Sequence, residues 1–200
     1  MTKSLSKFSD YSLAVMNAMA SVDQKALEKT IVMLEEAFND ERRVFVCGNG
    51  GSAAIANHLT CDCMKGIATD NKFGHTISVT SLACNVPLIT AIANDIGYDQ
   101  VFSKQLEYQA ESMDILIVIS SSGNSPNIIE AINKAKELNI FTISITGFTG
   151  GKAEELAGTS IHIKSDNYGV IEDVSQSIMH YISQALRRNL SHKSPEDINY

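Results

Sequence analysis

The sequence predicts an α/β fold: a doubly wound, five-stranded parallel sheet flanked by helices and preceded by a helical lead-in. Five short runs are apolar along nearly their whole length, as strands covered on both faces are. Stretches with apolar residues every three or four positions alternate with them, the pattern of helices packed on a sheet. Clusters of glycine, serine and asparagine stand at the junctions.

The lead-in covers about residues 8–40. Leu13, Met16 and Met19, then Leu27, Ile31, Leu34 and Ala37, recur at helical spacing and predict two helices between Tyr11 and Asp40, with Ser21 and Gln24 as a capping box between them. This lead-in has more apolar face than one sheet needs, and the surplus reads as a subunit contact. The sheet core spans about 42–165. Its predicted strands are 43–47, 75–79, 115–119, 140–146 and 160–163; helices are predicted over 53–64, 86–94 and 127–138. A last helix, about 170–190 with its apolar face from residue 172, sets Val174, Ile178, Tyr181, Ile182 and Leu186 on one side, and the tail after Ser191 is polar and expected to fray.

Two hundred residues without repeats or linkers fit one domain over 1–200 with a core that needs no staples. A net charge of −7 argues against a nucleic-acid partner, which calls for a basic stripe. No apolar run approaches the roughly 18–20 residues that span a bilayer, and the first residues lack a signal-peptide core, so no membrane partner and a cytoplasmic location are expected. Cys47, Cys61, Cys63 and Cys84 have no C-x-x-C spacing and read as reduced, mostly buried thiols.

Ligands of open parallel sheets bind beyond the carboxyl ends of the strands. Two junctions there have unusual composition. Gly48, Asn49, Gly50, Gly51 and Ser52 offer close backbone approach and a helix N-terminus suited to an anion. The pattern is neither G-x-G-x-x-G nor a P-loop, so no nucleotide is expected. Ser120, Ser121, Ser122, Gly123, Asn124, Ser125 and Pro126 form the second. Hydroxyls clustered in one tight turn can surround a phosphate. Ser125 also stands where it could cap the following helix, with Pro126 at its first position.

His58 and Asp62, four apart, share one face of the helix after the glycine loop. Glu172 and His180 are eight apart on the last helix, about 80° around its axis. Facing each other, the two helices could present two imidazoles and two carboxylates to a zinc-like ion. Spacing alone leaves a choice, because Asp173 lies closer than Glu172 to the line of His180.

The order of these motifs resembles the sugar isomerase (SIS) family, and within it the phosphoheptose isomerases, over about residues 10–190. It runs from 47–52 to His58, then 92–95, 119–125, Thr146 and Gly147, Gly150 to Lys152, and His180. The resemblance implies a SIS-type, flavodoxin-like fold and a homotetramer with sites at subunit interfaces. It also implies conversion of sedoheptulose 7-phosphate to the aldoheptose 7-phosphate, toward heptose for a bacterial surface polysaccharide such as lipopolysaccharide or capsule. Ser120, Ser121, Ser122 and Ser125 would then bind the phosphate; Asn49, Ser52 and Asp95 would contact sugar hydroxyls, with Gly50, Gly51 and Glu172 beside them. Asp62 and His180 would be the acid/base pair. Zinc would be held by His58, Asp62, Glu172 and His180, with the role of Asp62 as base, ligand or both left open. The chain departs from the family pattern at Asp62, usually glutamate, at Glu172, usually glutamine, and at Gly169 and Val170, where an Asp-Arg pair is common. These departures leave room for another sugar phosphate, or for a SIS protein that binds a sugar phosphate or a protein partner without turnover.

Overall fold

The computed structural model describes residues 6–68, 71–72, 74 and 77–193. Among these, β1 (Val44–Gly48), β2 (Val79–Ser81), β3 (Ile115–Ser120), β4 (Phe141–Thr146) and β5 (Thr159–His162) form one parallel sheet in the order β2-β1-β3-β4-β5. The first crossover from β1 runs to one side of the sheet and the next to the other. That reversal opens a crevice between β1 and β3.

Alternation along the strands supplies two cores. Val44, Val46, Ile115, Ile117, Ile119, Ile143 and Ile145 face one layer, made by α1 (Phe8–Ala20), α2 (Gln24–Asn39), α3 (Gly51–Cys61) and α8 (Tyr168–Leu190). Phe45, Cys47, Leu116 and Val118 face the other. This second layer is made by α4 (Val86–Asp95), α5 (Ser103–Gln109), α6 (Pro126–Glu137) and α7 (Gly151–Leu156). Among the described residues, no helix is long and apolar enough to cross a membrane.

Several local expectations are corrected. Asp23, not Ser21, caps α2, accepting from the Lys25 N–H at 2.9 Å. Ser21 ends α1 instead, its hydroxyl donating to the Ala18 carbonyl at 2.6 Å. The second strand lies later than 75–79, at Val79–Ser81; His75 and Thr76 fall outside the described residues. The helix after the glycine loop changes at Asp62 into a π-helical segment, Asp62–Ile67, where the 3.6-residue period no longer holds. Helix α8 starts earlier than expected, at Tyr168, because Asn167 caps it by accepting from the Val170 N–H. The short helices α5 and α7 and the 3-10 turn Tyr98–Gln100 had no visible period over so few residues. Residues 194–200 of the polar tail lie outside the described residues.

Burial of the thiols is half as expected. Cys47 and Cys63 are buried, and desolvation pushes both thiols up; Cys61 and Cys84 are exposed. All four are free. Tyr181, placed on the inner face of α8 by spacing, is exposed. Helix α1 turns Tyr11, Ala14, Val15 and Ala18 inward. Leu13 at 56% and Met16 at 64% remain exposed, leaving the large apolar side chains on the outer face.

Candidate active site

Strands β1 and β3 end side by side, with Gly48 opposite Ile119, so the glycine and serine loops emerge as neighbours at the crevice. Between them lies a cleft of about 130 Å³ lined by Asn49, Ser52, Ser120, Ser121, Ser122 and Ser125, with Ile119, Tyr168 and Glu172. Seven of the residues expected to meet a sugar phosphate thus converge from three separate stretches of the sequence.

The serine turn is arranged to donate. Ser120 Oγ accepts from the Gly123 N–H at 3.2 Å and Ser122 Oγ from the Asn124 N–H at 3.3 Å. Each hydroxyl therefore spends a lone pair on the loop and keeps its proton for an anion. Ser125 occupies the N-cap of α6 but makes no side-chain cap hydrogen bond, contrary to the capping role its position allows. Its hydroxyl is left for the cleft, while Pro126 opens the helix as expected.

A second loop braces this turn. Gly147 N–H donates to the Ser121 carbonyl and Ala153 N–H to the Gly123 carbonyl, both at 2.9 Å; Lys152 N–H donates to Asn124 Oδ1 at 3.1 Å. Gly123 has φ +64° and lies against the Gly150 carbonyl, where no Cβ would fit. The glycines at 147 and 150–151, legible in sequence only as part of a motif, thereby acquire a physical role.

Glu172 takes the place a side chain at position 51 would need: a Cβ on Gly51 would collide with its carboxylate. That carboxylate sits at the N-terminus of α3, where the helix field favours negative charge. Asp173 turns the other way and accepts from the Tyr11 hydroxyl at 2.6 Å. This bond raises the Tyr11 pKa to about 12, with desolvation adding to it. The choice left open by helical spacing is thus decided by α1, which engages Asp173 and leaves Glu172 to the cleft.

Farther along α8, His58, Asp62 and His180 gather with one donor atom each within 4.8 Å of the others. Asp62 lies between the imidazoles, with Oδ1 3.4 Å from His58 Nε2 and Oδ2 3.9 Å from His180 Nε2. The two rings meet edge to face, centroids 4.9 Å apart. Ser183 Oγ donates to the His180 carbonyl at 3.0 Å and reaches Asp62 Oδ2 at 3.5 Å; Gln176 Nε2 lies 2.9 Å from His180 Nε2. Two nitrogens and a carboxylate are a donor set that suits zinc. Glu172 stands outside this group, with the cleft. Asp95 is not brought to the cleft either; it is exposed at the end of α4, accepting from Asn94 Nδ2.

Sequence reading missed Asn127, Tyr98, Tyr168, Gln176 and Ser183. Asn127 had a signal, a polar residue one position after the helix-opening proline, although helix starts favour such residues for many reasons. The others lacked one.

The profile of the SIS domain family matches residues 7–147. The chain belongs to the SIS domain family. Within that family it is similar to phosphoheptose isomerases over most of its length. The Helicobacter pylori (strain 26695) phosphoheptose isomerase is 34% identical over 171 residues, covering 86% of this chain and 88% of that one. The Aliarcobacter butzleri phosphoheptose isomerase is 37% identical over 169 residues, covering 84% and 88%. Among solved structures, the Francisella tularensis phosphoheptose isomerase superposes with a TM-score of 0.82 at 28% identity, covering 92% of this chain and 98% of that one. The Neisseria gonorrhoeae phosphoheptose isomerase GmhA gives 0.80 at 27% identity, covering 90% and 94%. The five-stranded sheet and its flanking helices are therefore those of a SIS domain.

Proposed function

We propose that this SIS domain isomerises sedoheptulose 7-phosphate to D-glycero-D-manno-heptose 7-phosphate, and that its product feeds heptose synthesis for a bacterial surface polysaccharide. One observation carries the reading: α8 contributes to both the cleft lined by hydroxyls, through Tyr168 and Glu172, and the group of His58, Asp62 and His180, through His180. Glu172 and His180 are eight residues apart, about 12 Å along the axis. A phosphate seated among the serines would direct the far, carbonyl end of a sugar chain toward Asp62 and His180.

Aldose–ketose exchange needs a group to lift a proton from the carbon beside the carbonyl and another to carry protons between oxygens. Asp62 takes the proton from C1 as the C1–C2 double bond forms, and His180 gives a proton to the C2 oxygen. In the second half Asp62 returns its proton to C2, and His180 recovers one from the C1 hydroxyl as the aldehyde forms. Atoms and charge are conserved, and both groups end as they began. Ser183 lies within 3.5 Å of the Asp62 carboxylate, and Gln176 contacts the His180 ring. His58, Asp62 and His180 would hold zinc, with Glu172 left to the cleft; zinc when bound would stabilise negative charge on the two oxygens.

The exposed Leu13 and Met16 on α1 support a homotetramer, since an apolar face of this kind is covered in an assembly. Sites completed at its interfaces would fit the half-exposed His58 and His180.

The test is to follow aldose formation from sedoheptulose 7-phosphate, with and without added zinc, for the wild type and Asp62→Asn. Wild-type turnover should fall by about 10²–10⁴ in the variant while ester binding persists. Binding without turnover by the wild type would refute the enzymatic reading; full activity in Asp62→Asn would remove Asp62 as the base.

A further inference from the structure

Tyr98 sits on the 3-10 turn three residues past Asp95, and its hydroxyl donates to Asn49 Oδ1 at 3.0 Å. Asn127 Nδ2 donates to the same oxygen at 2.9 Å, and Asn49 Nδ2 donates back to Asn127 Oδ1 at 2.9 Å. Asn127 is 2% exposed, directly after the serine turn at the start of α6. One carboxamide thus ties together the loop after β1, the helix after the serine turn and the turn after α4. An amide oxygen has two lone pairs and an amide nitrogen two protons. Both lone pairs of Asn49 are filled, and one proton is committed to Asn127. A single N–H remains for a ligand in the cleft that Asn49 lines.

We propose that Tyr98 and Asn127 are positioning residues that fix the Asn49 carboxamide as a pure donor, so that the cleft accepts an oxygen with a free lone pair at that point and disfavours an ammonium group there. The inference rests on the sugar-phosphate reading and adds a specificity device to it. Tyr98 itself lies at the surface, 58% exposed, so removing its hydroxyl creates no cavity in the core. Asn49 lines the serine cleft and is not part of the His58, Asp62 and His180 group, so the cost is expected on KM more than on kcat.

The experiment compares wild type, Tyr98→Phe, Asn49→Ala and the double variant on sedoheptulose 7-phosphate. Tyr98→Phe should raise KM about fivefold, the worth of one neutral hydrogen bond. In the Asn49→Ala background the same change should have no further effect, because its route to the ligand is gone. An unchanged KM in Tyr98→Phe, or an effect that persists in full without Asn49, overturns the positioning role. A wild type that neither binds nor converts the ester overturns the functional reading instead, and with it this inference; the two failures are told apart by the wild-type measurement alone.

Discussion

Replacing Gly123 with alanine tests whether the serine turn depends on its brace. Gly123 has φ +64°, a conformation costing an L-residue roughly 1–2 kcal/mol. The new methyl would also run into the Gly150 carbonyl, with the Gly151 Cα only 3.2 Å away. These are backbone atoms, so no rotamer change relieves the clash and the two loops must part. Parting them loosens the bonds from Gly147 N–H to Ser121 and from Ala153 N–H to Gly123, each worth about 1 kcal/mol. The sum is about 3–4 kcal/mol, or roughly 6–16 °C in Tm for a chain of this size. Since the Ser121 and Ser122 hydroxyls move with the turn, affinity for the phosphate ester should fall at least about tenfold. Thermal unfolding and KM for sedoheptulose 7-phosphate, measured on the same preparation, check both effects. A Gly123→Ala protein with wild-type Tm and KM would refute the claim that the second loop shapes the phosphate site.

Two further outcomes are expected. Ser122→Asp puts a carboxylate where the proposed function seats the phosphate; at about 4 Å each unit of phosphate charge is opposed by about 4 kcal/mol, so calorimetric binding of the ester should vanish while the fold persists. Tyr11→Phe should lower stability below pH 10, and the difference from wild type should fade as pH rises through about 12: the Tyr11 pKa is raised in the folded state, so the stabilisation is complete below the ordinary value and lost once the phenol ionises in the fold. Denaturant titrations of both proteins from pH 8 to 12 give the comparison, and a constant difference across that range would count against the Tyr11–Asp173 bond.

Much of the candidate site was legible because it is local. Ser120 through Ser125 occupy one turn, and Asn49 and Ser52 one loop, so their chemistry is concentrated over a few residues and their place beyond a buried strand follows from the apolar run before them. The partners of these residues were not legible. Asn127 and Tyr98 meet Asn49 from 78 and 49 positions away, and no period or spacing links them. Glu172 and Asp173 are adjacent on one helix, and helical geometry put Asp173 closer to the line of His180, yet neither joins the His58, Asp62 and His180 group and Glu172 lines the cleft. Asp173 is engaged instead by Tyr11, 162 residues away.

The sequence by itself determined the layer architecture and the concentration of hydroxyls in the serine turn, because burial pattern and hydroxyl density are properties of contiguous residues. Only the tertiary structure decided which carboxylate faces the cleft, which hydroxyls keep a proton to give, and how the Asn49 amide is oriented. Those outcomes depend on hydrogen bonds whose geometry is fixed by packing between distant segments, and a linear pattern does not encode the angle at which two helices meet.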